Sequence, residues 1–461
     1  MGHHITVDAE QYVFKPETKR KIFILIGVGI VLFVLGVVLA MQGGHDDHGR
    51  GHASASTGSA LVASTVPIAP DSYRDETAAG EASHEGGHHS SETWLKRVYT
   101  SLWMNNIYFA GLGIVGLFFV CIQYAAQAGW SSGINRIPLA MGRWIPIAGV
   151  LTILLWFLVK NDMFHWVHHD VYEGATADKI LQKKAPYFFW PMHAGTFPIF
   201  YVARMLLFFG MWYMFFLAIK KRMMAEDLDG DTTHWYKSRS ISAWFLVFFG
   251  VSSSIAAWDW VMSIDAHWFS TMFGWYVFAS WWVTGLAFIA FTVASLKDAG
   301  YLKIVNANHL HDLGKFCFAF SVFWTYIWFS QFMLIYYANV PEETVYFIER
   351  MRTSPYSWIF YTNLILNFVL PFLLFMTRDA KRQISTIRLI TPIIMIGHWF
   401  DFYNMITPGV MQYNGGLDFL EIGLLMIFLG AFLFVVLNGL AKLPLIGRNH
   451  PMLQESLHHH I

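Results

Sequence analysis

Charge is scarce in this 461-residue chain: only 13% of residues are Asp, Glu, Lys or Arg, against roughly 25% in an ordinary soluble domain. Cysteine is scarcer still. The two thiols, Cys121 and Cys317, both lie in apolar runs, which excludes a disulfide framework, four-thiolate iron–sulfur ligation and the C-x-x-C-H attachment of haem. There is no G-x-x-x-x-G-K-[ST] phosphate loop, so ATP-driven transport has no machinery in this chain. Lys and Arg (31) balance Asp and Glu (31), the pI is near 7.4, and without a basic stripe nucleic-acid binding is excluded.

What is abundant is apolar surface, at 55% hydrophobic and 18% aromatic residues. A bilayer core needs about 20 apolar residues per helix. Ten windows meet that length, near 22–41, 102–128, 143–160, 197–219, 241–263, 270–295, 314–339, 356–376, 388–406 and 417–442. The expectation is an all-α integral membrane protein. The first window is too long for a signal-peptide core and lacks a small-residue cleavage site, so it reads as an uncleaved anchor. Segments on the side of the N-terminus carry about twice the Lys and Arg of the opposite segments, which puts both termini in the cytoplasm. The expected divisions are a cytoplasmic segment 1–21, a first span 22–41, an outer His/Gly/Ser-rich linker 42–101, a nine-helix membrane domain 102–442 and a cytoplasmic tail 443–461. Within the linker, His45, His48, His52, His84, His88 and His89 follow no metal-site spacing, and a solvated segment is the plainer reading.

Ionisable side chains inside the spans are few: Arg204, Asp259, His398 and Asp401, with Asp418 and Glu421 opening the last span. Each such group is costly in hydrocarbon and calls for a partner or a task. With alternating helix directions, all fall in the outer half, roughly 6 to 12 Å from the helix ends for the first four. Arg204, Asp259, His398 and Asp401 are therefore expected to meet in one cluster. His398 and Asp401, at i and i+3, share a face. The cluster is either a static ion-pair network or a proton relay, since buried carboxylates and imidazole exchange protons when their environments shift them.

Polar groups of the inner half are neutral: Ser252, Ser253, Ser254, Thr284, Tyr326, Asn363 and Asn367. Pro371 cannot donate to the Asn367 carbonyl. Asn363 lies one turn earlier, so Tyr326, Asn363 and Asn367 are candidates for a path to the ionisable cluster, or for interhelical glue. A haem needs two facing axial ligands within the membrane, yet only His398 lies squarely in a span. His165, His168, His169 and His193 sit at boundaries, and no cofactor bound by this chain is expected.

Three stretches carry a resemblance: "AAWDWVMSIDAHWFSTMFGWYVFASWWVTGLA" (256–287), "HLHDLGKFCFAFSVFWTYIWFSQFMLIYYANVPEET" (309–344) and "GHWFDFYNMITPG" (397–409). In order and length they resemble the F subunit of alternative complex III, a bacterial quinol:cytochrome c oxidoreductase of the inner membrane. The resemblance implies a polysulfide-reductase-type fold of two four-helix bundles with one extra helix at each end. It also implies partners: a related quinol-oxidising C subunit, an iron–sulfur subunit, pentahaem and monohaem cytochromes c, and a terminal cytochrome oxidase. Haem c and iron–sulfur clusters belong to those partners. The C-type relative holds quinol with a His and an Asp near the outer face, and the nearest counterparts here are His165 or His193 with Asp162. The expected function is support of quinol oxidation with proton translocation. A structural anchor and a stand-alone secondary transporter are the alternatives.

Overall fold

The computed structural model describes residues 10–46, 89–174 and 177–460. In chain order the α-helices are α1 (Pro16–Asp46), α2 (His89–Ala125), α3 (Arg136–Met141), α4 (Ile145–Met163), α5 (Lys179–Phe189), α6 (Ile199–Asp229), α7 (Thr232–Trp260) and α8 (Phe273–Asp298). There follow α9 (Ala307–Ala338), α10 (Pro341–Arg352), α11 (Ser357–Leu364), α12 (Leu370–Leu374), α13 (Ile384–Met411), α14 (Phe419–Leu440) and α15 (Leu453–Leu457). A π-helical turn, Ile365–Val369, joins α11 to α12. No strand occurs among the described residues.

Nine helical segments among the described residues are long and apolar enough to cross a membrane, which makes this a multi-pass membrane protein. The expected tenth span is present as α13, a 28-residue helix. Its His398, Asp401 and Asn404 lower its apolarity and keep it out of that set. α13 tolerates them because its polar face is turned into protein: His398 and Asp401 are wholly buried. The exterior is the reverse, with Val31 on α1, Leu206 on α6, Val247 on α7, Leu334 on α9 and Leu389 on α13 all exposed. A soluble protein could not keep so much contiguous apolar surface in water.

Two helices organise the interior. α2 and α8 are almost entirely covered, and the others arrange around them. α2 packs on α4, α4 on α6, α6 on α7 and α7 back on α2. α8 packs on α9 and α13, and the α11–α12 segment lies between α9 and α13. α2 also contacts α8 and α13, joining the two groups. α1 and α14 form a third layer against α2. Their approach is close because a Cβ on Gly423 would lie 2.4 Å from the Phe33 backbone nitrogen. Only glycine admits that separation.

Boundaries differ from the expected ones in places. The first helix extends beyond 22–41 at both ends, and the segment expected as linker 42–101 is helical at 42–46 and again from 89. Helices continue past the apolar run because hydrogen bonding within the backbone does not stop at the hydrocarbon edge. Residues 47–88 and the side chains of His45 and His89 lie outside the described residues, and with them the histidines of that linker. The tail is docked from residue 445 to residue 459. Leu445 N–H donates to the Glu10 carbonyl (2.9 Å), His459 pairs with Asp312 (2.6 Å) and Asn449 Nδ2 donates to the Asp227 carbonyl (3.1 Å). The first and last described stretches thus sit at one end of the molecule, called the terminal end below.

Candidate functional site

The four ionisable residues expected to form one cluster form two. Arg204 on α6 and Asp259 on α7 pair within the first group of helices, while His398 and Asp401 on α13 face α8, α9 and α11 in the second. Depth along a span, which the sequence gives, does not fix position across the membrane plane.

The Arg204–Asp259 pair is bidentate, Nε to Oδ2 at 2.7 Å and Nη2 to Oδ1 at 2.9 Å. Arg204 Nη1 donates to the Tyr187 carbonyl at 2.8 Å, and its guanidinium lies between the Tyr187 ring (4.3 Å) and the Phe200 ring (4.5 Å). The Tyr201 hydroxyl donates to the Asp259 carbonyl at 3.0 Å, and Ser263 Oγ donates to the same oxygen. A planar fork stacked between rings is what arginine supplies and lysine does not. Every polar atom of this pair has a protein partner, so it holds α5, α6 and α7 together.

The Asp401 site is built differently. Its Oδ1 accepts from the Tyr276 hydroxyl and from Asn363 Nδ2 (2.8 Å), and its Oδ2 accepts from the indole Nε1 of Trp324 (2.8 Å). His398 shares the face as its i, i+3 spacing requires. Its Nδ1 lies 3.0 Å from Ser280 Oγ and 3.9 Å from Asp401 Oδ2, and its Nε2 has no protein partner. Toward the terminal end the row continues, with Asn367 Nδ2 donating to Asn363 Oδ1 at 2.5 Å while Asn367 Oδ1 is unpaired. The π turn at Ile365–Val369 sits just before Pro371, whose missing N–H a normal α-helix would need. Gly397 lets that turn approach α13, since a Cβ there would lie 2.2 Å from Asn367 Oδ1.

On the other side of Asp401 a cavity of about 20 Å³ is lined by Tyr276, Asn363, Gln331, Asn404 and Arg350, among others. That volume holds about one water molecule. Both amide atoms of Asn404 are buried without a protein partner. Pro408 cannot donate to the Asn404 carbonyl four residues back, and Arg350 Nε takes that place at 2.8 Å. Arg350 Nη1 donates to the Tyr346 carbonyl at 2.8 Å, and Asp265 and Glu349 lie 3.8 Å from it. Polar groups thus flank Asp401 toward both ends of the bundle, bonded to it on the Asn363–Asn367 side and across the cavity on the Arg350 side. Replacing Arg350 with Met leaves the Asn404 carbonyl unpaired and is expected to destabilise the protein by about 1–3 kcal/mol, read as a lowered unfolding temperature in detergent.

Asn363 and Asn367 are where the expected path needs them. Tyr326 is not: it is 64% exposed on the outer face of α9, because the side facing α8 is taken by Trp324. Ser252 serves as glue, its Oγ accepting from Trp212 Nε1 on the neighbouring helix (3.0 Å), while Thr284 donates to the Ser280 carbonyl of its own helix (2.6 Å). Asp418 and Glu421 cap α14 and hold Arg97 (2.8 and 2.6 Å), tying α14 to α2. The candidate quinone residues Asp162, His165 and His193 are all exposed at the end opposite the terminal end. His165 lies beside His168, with ring centroids 6.2 Å apart, and the covering of one part of its otherwise exposed ring, then His168 and His267, push its imidazole below the usual range. The close His–Asp pair at that end is His267 with Asp178 (2.5 Å). The residues absent from the sequence reading are Tyr276, Ser280, Trp324, Gln331, Arg350 and Asn404. Tyr276 and Ser280 share a face of α8 at i, i+4, a signal lost among aromatic neighbours that read as packing.

Against known proteins, the chain matches no family model and no curated protein.

Proposed function

We propose that this chain is the F-type membrane subunit of a quinol:cytochrome c oxidoreductase of the alternative complex III kind, and that it carries protons past Asp401. The observation that carries the proton reading is the contrast between the two buried acidic sites. Asp259 sits in a closed bidentate ion pair in which both carboxylate oxygens and all three guanidinium nitrogens have protein partners. Asp401 sits in a polar row, Asn367–Asn363–Asp401–Tyr276, with unpaired atoms at Asn367, His398 and Asn404 and a cavity beside it. Proton movement needs groups that can make a new hydrogen bond, and the open atoms beside Asp401 supply them.

The resemblance of residues 256–287, 309–344 and 397–409 supports the rest. On this reading the two helix groups are the two four-helix bundles of the polysulfide-reductase type, and the α1–α14 pair supplies the extra helix from each end. The protein lies in a bacterial inner membrane with both termini cytoplasmic. Quinol is oxidised on the related C subunit, and haem c and iron–sulfur clusters sit on the cytochrome and iron–sulfur partners. A terminal cytochrome oxidase receives the electrons. Gentle-detergent purification from native membranes, with mass spectrometry and a visible spectrum, tests membership. A c-type haem spectrum with a larger related membrane subunit supports it, and a lone, colourless 52.9 kDa protein overturns it in favour of a transporter.

Beyond the cavity, beside Arg350, lies a titrating group. Burial pushes the Glu349 carboxyl from 4.5 up to about 7; Arg350 draws it down and Asp265 raises it. A carboxyl with a raised folded-state value stabilises the fold fully below its unfolded value, and loses that contribution as pH rises through the folded value. The wild type is therefore expected to unfold at progressively lower temperature between pH 4.5 and about 7, with Glu349→Gln flattening that part of the profile. Parallel slopes for the two proteins in the same detergent would contradict it.

A further inference from the structure

Between α6 and α7, on the membrane-facing surface, runs an open groove of about 430 Å³ lined by Met211, Phe215, Ile241, Trp244, Val247 and Phe248. All six are apolar, and Trp244 and Val247 are 70% and 68% exposed. The two helices are joined at the terminal end by a tight turn through Gly230, whose φ of 68° suits glycine. Between groove and turn each helix carries a cation on the face that lines the groove. Arg222 lies seven residues beyond Phe215, about 10 Å along α6, and Lys237 lies four residues before Ile241, about 6 Å along α7. Arg222 is half-buried and Lys237 exposed, and neither forms an ion pair among the described residues.

The carboxylates nearby are engaged or withdrawn. Asp227 holds Arg136 at 2.6 Å, Asp229 holds His234 at 2.9 Å, Asp231 caps α7 through Thr233 N–H at 2.9 Å, and Glu226 is buried. Two cations on the stripe that leads into an apolar groove, with the neighbouring carboxylates committed elsewhere, suit an anion held at its mouth. We propose that this groove is a binding site for one anionic phospholipid, its acyl chains against Phe215, Trp244 and Val247 and its phosphate between Arg222 and Lys237. The complementarity is of both kinds at the right spacing: apolar toward the bilayer centre, basic one to two turns further out, where a headgroup lies.

The test uses the purified full chain in detergent, given dioleoyl phosphatidylglycerol or dioleoyl phosphatidylcholine and read by native mass spectrometry. The wild type is expected to retain the anionic lipid roughly tenfold or more over the zwitterionic one, since two cations each act on the headgroup. Arg222→Gln/Lys237→Gln should bring the anionic lipid down to the level of the other, and Val247→Trp should lower retention by filling the groove. Equal retention of the two lipids by the wild type overturns the proposal. So does unchanged retention in either variant, or displacement of the lipid by millimolar inorganic phosphate, which would make the site one for a free anion. Circular dichroism of each variant checks that its helices are intact.

Discussion

If the chain carries protons as proposed, Asp401→Asn is expected to lower proton translocation by the assembled complex by roughly a hundredfold, in the range for removing a positioned proton-transfer group, while leaving the fold almost intact. The fold tolerates the amide because the row can reverse. Trp324 can only donate, so the oxygen of the new amide faces it. The new N–H then faces Tyr276, whose hydroxyl turns to accept, and Asn363, whose amide flips to offer its oxygen. Asn367 flips in turn, and the unpaired atom at the end of the row becomes a nitrogen instead of an oxygen. At that end one unpaired atom replaces another, but the Tyr276 hydroxyl hydrogen loses its acceptor and turns to the adjoining cavity, so the loss of stability is expected to be about 1–3 kcal/mol.

Asp401→Leu has no such escape. It strands the donors of Tyr276, Trp324 and Asn363 together, and at about 1–3 kcal/mol for each unsatisfied buried group it is expected to prevent assembly. Proton release into a weakly buffered suspension during quinol oxidation measures the first effect, and the yield of intact complex measures the second. Normal proton release from the Asn variant would reduce Asp401 to a structural group.

The positions of the helices were legible in the sequence, and so was the local geometry of the site. Apolar runs located all ten helices, nine of them long and apolar enough to cross a membrane, and the i, i+3 spacing put His398 and Asp401 on one face. The i, i+4 spacing did the same for Asn363 and Asn367, which are bonded to each other. Lateral arrangement was not legible. Nothing in the order of residues 204, 259, 398 and 401 says that the first two belong to one helix group and the last two to another, because helix–helix contact in a bilayer depends on small residues and shape spread over many turns. The partners of Asp401 were hidden for a chemical reason. Tyr276 and Trp324 each combine a large apolar ring with one polar atom, and in a chain with 20 tryptophans and 20 tyrosines nothing marks which polar atom is used. Arg350 was hidden by its place on α10, a short amphipathic helix that reads as a surface loop until Pro408 is seen to leave a carbonyl for it.

Arg204→Leu is expected to destabilise the protein by about 3–5 kcal/mol, the cost of leaving one partner of a buried ion pair alone. Asp259 is wholly buried, and the substitution strips both donors from its carboxylate. It also frees the Tyr187 carbonyl and removes the cation from between the Tyr187 and Phe200 rings. The double variant Arg204→Leu/Asp259→Leu removes the stranded charge and is expected to recover most of the loss, since apolar residues of similar volume often replace a buried pair at little cost. Thermal unfolding of the three proteins in one detergent measures the recovery. The same double variant separates the two acidic sites by role: if the pair only joins α5, α6 and α7, the recovered protein translocates protons at the wild-type rate. A double variant as stable as wild type but unable to move protons would place Arg204 and Asp259 on the path, and with it the two halves of the bundle would have to work in series.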